Sequence, residues 1–340
     1  MTTFLLKRLL QAVFVILVVT LLVSWAVRLT GDPALMLAQG AGSVTEEDLV
    51  MIREGLGLNQ PFLLQYWRFI SGMVVGDFGR SFLGNTPVSR LIATALPATL
   101  WLAFCALAFS LLISIPLGVH AAVRRGSWSD QLIRIVSLVG LSFPNFWLGL
   151  MLVLLFAIIW PIFPPSGMSG TTSVVLPALT MGVILSATTI RLVRTSMLEI
   201  LNAQYIMVVR SKGLKEWVVL YKHALRNCAI PVITFLGLQF GGLVGGIVVV
   251  ERVFNWPGLG TLAFEAIAGR DYPVLQATVT TLALLIVAQR FRVVQVVGKT
   301  QRRQFVGCGR HRTHHAPELA QPQLLAHVQE RLNGFVLFSG

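Results

Sequence analysis

Six apolar runs divide this chain of 340 residues, at about 9–29, 97–122, 133–160, 175–195, 231–250 and 273–288. A hydrocarbon core about 30 Å thick is crossed by about 20 apolar residues in a helix, because lipid offers the backbone no partner and the helix satisfies its own N–H and C=O groups. The length alone would suit two soluble domains. The runs instead make one polytopic membrane domain, all-α, with six transmembrane helices. Composition agrees: mean hydropathy is +0.76 and 12% of residues are charged, against roughly 25% in soluble proteins.

The first run follows Lys7 and Arg8 as a signal peptide would, but about 20 apolar residues exceed a signal core of 7–15 and no small-x-small site closes it. It reads as an uncleaved span with a cytoplasmic N-terminus. Loop charges agree. Segment 123–134 carries Arg124, Arg125 and Arg134 against Asp130, and 191–227 carries seven Lys or Arg against Glu199 and Glu216. Both fall on the N-terminal side, which is therefore cytoplasmic. On the other side, 30–96 holds six acids against four Arg, and 161–174 holds no charge. The organisation is a first segment 1–30, an extracytoplasmic loop subdomain 31–96, a core 97–288 with a cytoplasmic loop at 196–230, and a basic tail 289–340. In the loop subdomain "VTEEDLVMIREGLG" predicts one short helix, with Thr45 as N-cap and Glu46, Glu47 and Asp48 complementing its dipole. That subdomain is read either as a docking surface or as a lid.

Several function classes are poorly served. The net charge of +13 sits around the apolar runs and in the tail, without the aromatic-spaced basic patches of nucleic-acid binding. Cys105, Cys228 and Cys308 are scattered, which indicates neither a disulfide framework nor a metal site. No catalytic constellation stands out. No Asp or Glu sits in the middle of a run, which counts against proton- or sodium-coupled transport. "VVQVVGKT" ends in Gly298, Lys299 and Thr300 but has Val293 where a phosphate loop needs its first glycine.

The segment "YIMVVRSKGLKEWVVLYKHALRN" (205–227) is too long for a connection between spans. Gly213, after Lys212, splits it into two helical pieces. After the glycine, Leu214, Trp217, Val218, Tyr221 and Leu225 recur at three- and four-residue spacing. Such a unit either lies on the membrane surface or inserts its apolar side chains into a groove on a soluble partner. In the fifth run Gly237, Gly241 and Gly245 are spaced by four, as are Gly242 and Gly246. They form a small-residue face that packs inside this chain or meets a second chain or the translocation path.

The 205–227 segment resembles the cytoplasmic coupling loop of ABC-transporter permeases, whose pattern is Glu-Ala-Ala, three residues, Gly, nine residues, Ile-x-Leu-Pro. Aligned on Gly213, the first three positions fall on Met207, Val208 and Val209, and the last block on His223, Leu225 and Arg226. Only the Gly and the Leu are kept. The blocks "RSKGL…HALRNCAIPVITFLGLQFGGLVGGIVVVERVFNWPGLG" (210–260), "GDFGRSF" (76–82), "SFPNFWLGL" (142–150) and "GRDYPVLQ" (269–276) are more specific. They are similar to the first (B-type) permease subunit of dipeptide, oligopeptide and nickel importers, in which the Glu and Pro of the general motif are usually replaced. The resemblance covers about 280 residues.

It implies a type I ABC-importer permease fold and no enzymatic activity in this chain. It further implies a second permease subunit in a heterodimer, and two cytoplasmic ATP-binding subunits that hold the ATP and Mg. A periplasmic binding protein would deliver a peptide-class substrate, nickel or another small solute, and the chain would sit in the bacterial inner membrane. A self-contained secondary transporter or channel, or a lipid-binding scaffold, is the rival reading. After Ala288 the pattern changes. The sixth run has about 16 residues, and residues 289–340 hold eight Lys or Arg, two acids and four of the six His. This switch inside a helix is expected to reflect a change of reading frame or an assembly error, or else a genuine basic extension.

Overall fold

A computed structural model describes residues 2–39 and 45–289; the basic tail, apart from Gln289, lies outside them. The described residues form helices and turns, with one isolated bridge, Arg80 to Pro87, in place of any sheet. The helices are α1 (Thr2–Ala26, extended by a 3-10 turn Val27–Thr30), α2 (Pro33–Gln39), α3 (Glu46–Gly55), α4 (Phe62–Val75), α5 (Val88–Val123), α6 (Trp128–Ser142), α7 (Asn145–Val153), α8 (Val175–Leu201), α9 (Gln204–Ser211), α10 (Glu216–Val218), α11 (Leu225–Val253), α12 (Leu259–Ala268) and α13 (Tyr272–Gln289). Five helical stretches are long and apolar enough to cross a bilayer: Leu6–Leu29, Val88–Val123, Val175–Leu201, Glu216–Leu243 and Tyr272–Gln289.

The sixth segment is broken. The apolar run 133–160 is not one straight helix: α6 and the Asn145–Ile159 stretch meet at 102°. Pro144 is the cause. Its ring forces Phe143 into extended backbone (φ −86°, ψ 133°), and Pro144 then opens α7. Counted as one bent pair, these arms complete six spans.

The centre of the molecule is the pairing of α5 with α8. With 36 residues α5 is about 54 Å long at 1.5 Å per residue, well beyond the hydrocarbon core, so it reaches out of the bilayer at its ends. Small residues set the approach. A Cβ on Gly118 would lie 2.7 Å from the Cβ of Val193, and one on Gly182 would lie 2.8 Å from the Cβ of Phe109. Ser114 caps this contact by donating to the Ser110 carbonyl at 2.5 Å and to that of Ser186 at 3.3 Å. In lipid, where burial against a neighbour brings little hydrophobic gain, such close backbone approach supplies the attraction.

Between α1 and α5, α3 begins as its sequence predicts. Thr45 accepts from the Asp48 amide and Asp48 accepts from the Thr45 amide, a reciprocal cap. The Thr45 hydroxyl and amide together hold the Asp48 carboxyl below its usual range. Arg53 pairs with Asp32 at 2.7 Å, and Arg270 donates to the Asp32 carbonyl, so α3 is tied both to α2 and to the turn before α13.

The motifs singled out in the sequence meet in space. Ser81 of the 76–82 block donates to Asp271 of the 269–276 block at 2.5 Å, with Phe82 packed on Tyr272. In the 142–150 block, a Cβ on Gly149 would lie 3.1 Å from the ring of Phe254 of the 210–260 block. Pairs 190 and 105 residues apart thus hold the extracytoplasmic end together.

Candidate functional site

The basic segment projects from the cytoplasmic ends of α8 and α11. Helix α8 runs past its apolar part to Leu201, the chain turns, and α9 follows. Gly213 reverses it with φ +75°, a left-handed conformation that costs a glycine nothing, and its amide is held by the Arg210 carbonyl at 2.9 Å. A Cβ at Gly213 would meet no atom within 4 Å, so the glycine answers a backbone need rather than crowding within this chain. Arg210 reaches across the turn to Glu216 at 2.6 Å, and Asn227 donates to the Tyr205 hydroxyl at 2.8 Å.

Two faces result. Ile206, Val219, Ala224 and Cys228 are fully buried against Val119, Ala122, Val193 and Met197, which fastens the segment to α5 and α8. Outward point Met207, Val208, Leu214, Trp217 (64% exposed) and Tyr221, the last two with ring centroids 5.5 Å apart. Lys212 and Arg226 are also exposed, while Val209, Val218, His223 and Leu225 are half-buried. The stripe read from the sequence is therefore divided. Leu214, Trp217 and Tyr221 lie outside, and Val219 and Ala224 carry the inner contact. A π-helical turn, Val219–Ala224, follows Trp217 and shifts the phase of the residues after it.

A clamp secures the base of this unit. Asp130, in the first turn of α6, is 1% exposed in its side chain and accepts from Arg194 Nε at 2.7 Å and Nη2 at 2.8 Å; the Gly126 amide adds 3.0 Å. Arg194 lies seven residues before the end of α8. The loop 123–130 is thereby fixed to the helix that leads into the projecting segment.

The glycine face of α11 is shared between neighbours. A Cβ on Gly241 would meet Gln289 Oε1 at 2.7 Å, and the Gly237 carbonyl accepts from the same amide. Gly246 lies against Asn145 and Met181, whereas Gly242 and Gly245 face open space. The sequence reading overlooked a second node at the far end of α11. Glu251 is fully buried and accepts from Thr99 at 2.7 Å, the Gly260 amide at 2.6 Å and the Thr261 amide at 3.3 Å. Gly258 and Gly260 pack directly on its carboxylate. Its position one residue beyond an apolar run hid it, although "ERVFNWPGLG" places the acid and both glycines within ten residues. Among the described residues no group of three or more His, Cys, Asp and Glu could hold a metal ion.

This arrangement offers surfaces for assembly, and comparison with known proteins supplies the family. Residues 114–296 match the family described as "Binding-protein-dependent transport system inner membrane component", and residues 1–103 match its N-terminal counterpart. The chain belongs to that family. It is 41% identical over 286 residues to the glutathione transport system permease protein GsiC of Salmonella paratyphi A, covering 84% of this chain and 92% of the relative. To GsiC of Escherichia coli K12 it is 40% identical over 287 residues, with the same coverage. The fold is that of a chain in an inward-facing structure of the MetNI methionine ABC transporter, with a TM-score of 0.52 and 20% identity, covering 62% of this chain and 96% of that one.

The protein is thus the inner-membrane permease subunit of an ABC importer. ATP hydrolysis belongs to a separate subunit, and the chain works with a second permease, ATPases and a binding protein. The readings as a self-contained transporter, channel or scaffold fall with this.

Proposed function

We propose that this permease is one half of a heterodimeric path for a peptide-class substrate, and that the outward face of the 205–227 segment is where an ATPase docks. The observation that carries the docking is the exposed set Met207, Val208, Leu214, Trp217 and Tyr221, held out from the membrane helices around a left-handed Gly213. Exposed aromatic side chains on a rigid base are the type that dominates binding energy when they enter a groove. Two ATPases that close on ATP and Mg, both held in those partners, would grip the two permease chains. They drive the switch between inward- and outward-facing states only through a difference in affinity for the two. A periplasmic binding protein delivers the solute. A small peptide is favoured because the relatives of 40–41% identity are named for glutathione, a tripeptide. Nickel or another small solute is the alternative.

The test is reconstitution of the whole complex in vesicles with its binding protein, following ATP hydrolysis as di- and tripeptides or Ni2+ are added. Stimulation by peptide alone is expected, and stimulation by Ni2+ alone overturns the substrate. Trp217→Asp should lower co-purification of the ATPase at least 10-fold while leaving the permease in the membrane. Unchanged co-purification and transport would overturn the docking face.

A further inference from the structure

Helix α4 sits deeper than a loop subdomain should. The apolar span of α1 runs from Leu6 to Leu29, so Leu17 lies near its middle. The Tyr66 hydroxyl donates to the Leu17 carbonyl at 3.0 Å and lies 3.0 Å from the Thr20 hydroxyl. The Arg28 guanidinium stacks 4.7 Å over the ring of Phe62, one turn earlier on α4, and donates to Gln65, the residue before Tyr66, at 2.5 Å. Thr20 to Arg28 is a rise of about 12 Å along α1, and one leaflet of the hydrocarbon core is about 15 Å deep. The start of α4 therefore lies beside the outer half of the first span, within a tyrosine's reach of the bilayer centre.

Its outward face fits that depth. Leu63 (73% exposed), Trp67 (67%) and Val74 (78%) line one side of α4, while Phe62, Gln65, Tyr66 and Phe69 turn inward. Leu21, Leu22 and Trp25 of α1 are exposed as well. Helix α3, with Glu46, Glu47, Asp48, Arg53 and Glu54 among its ten residues, exposes only Val50 and Met51 of its large apolar side chains.

We propose that α4 is an interfacial helix seated in the outer leaflet, with Leu63, Trp67 and Val74 against lipid acyl chains. It widens the lipid-facing surface of α1 instead of projecting towards the binding protein. A helix of this kind lies in the leaflet with its apolar face against acyl chains, and the exposed Arg68 can lay its stem along that apolar surface.

Nitroxide labels on Leu63→Cys, Trp67→Cys, Val74→Cys and, in α3, Glu47→Cys would test this. The three native cysteines are replaced, and the complete complex is reconstituted in phospholipid vesicles. Collision rates are then measured with oxygen, which concentrates in lipid, and with a neutral nickel chelate, which stays in water. Oxygen should dominate severalfold at 63, 67 and 74, and the chelate at 47. Domination by the chelate at 63, 67 and 74 overturns the proposal in favour of a face turned to water or the binding protein. Low rates for both relaxers overturn it in favour of a face covered by the second permease. Variants that keep the parent's ATP hydrolysis are scored, so the result does not depend on which solute the complex carries.

Discussion

Asp130 and Arg194 form a two-pronged ion pair between the cytoplasmic start of α6 and the last two turns of α8. The pair ties the 123–130 connection to the helix that leads into the projecting 205–227 segment. With an ATPase docked on that segment as proposed above, a push on it would reach α6 as well as α8 and α11. Arg134, 3.7 Å from the same carboxylate and half exposed, adds a weaker third charge.

Removing one member of a buried pair strands the other, at about 3 to 5 kcal/mol, whereas an exposed partner contributes about 1 kcal/mol or less. Asp130→Ala and Arg194→Ala should each lower the melting temperature of the purified permease clearly, and Arg134→Ala hardly at all. The double variant Asp130→Leu with Arg194→Met should recover most of the loss. Equal effects of Arg134→Ala and Arg194→Ala would contradict the geometry.

Gly213 separates backbone need from docking. Alanine in a left-handed turn costs about 1 to 2 kcal/mol, and nothing in this chain blocks its methyl group. Gly213→Ala should stay in the membrane and keep most substrate-stimulated ATP hydrolysis. Gly213→Arg places a long charged side chain on the outward face and should abolish that stimulation without loss of the permease from the membrane. If both variants fail equally, the conformation matters and the surface does not.

The orientation is open to direct measurement. A cysteine at Lys215, in the turn after Gly213, should be shielded from an impermeant thiol reagent in intact cells. One at Ser169, in the uncharged 161–174 loop, should be labelled. Labelling of position 215 from outside would reverse the topology.

The sequence carried the membrane class, because six apolar runs admit few alternatives, and it carried the α3 cap, because Thr45 and Asp48 are three residues apart. It also marked Gly213, since a glycine between two helix-periodic stretches has few other uses. Long-range chemistry was hidden. Asp130 counted only as one acid in a basic loop, 64 residues from its partner. The π turn at Val219–Ala224 leaves no mark in residue spacing, so the inner and outer faces of the segment could not be told apart. The break at Pro144 was legible in principle, since the residue before a proline avoids helix, but the apolar character on both sides outweighed it.

Glu251 makes the last prediction, because a carboxylate in an apolar setting persists only when its oxygens are satisfied. One oxygen takes the Thr99 hydroxyl and the other the Gly260 and Thr261 amides, so the acid welds α11 to the start of α12 and to α5. Thr99 passes the link on, accepting from the Leu259 amide at 2.8 Å. Glu251→Ala would leave two buried amides without partners, at about 1 to 3 kcal/mol each. Glu251→Gln keeps the shape: its carbonyl can take both amides while its NH2 donates to Thr99, so about 1 kcal/mol should be lost. Melting of the purified permease should therefore fall in the order parent, Glu251→Gln, Glu251→Ala, with Gly260→Ala near the bottom because its Cβ would lie 2.5 Å from the Cα of Val248. A Glu251→Ala variant as stable as the parent would mean that the 251–261 turn is held without the acid, by the Trp256 indole N–H on the Ala98 carbonyl and the Leu259 amide on Thr99.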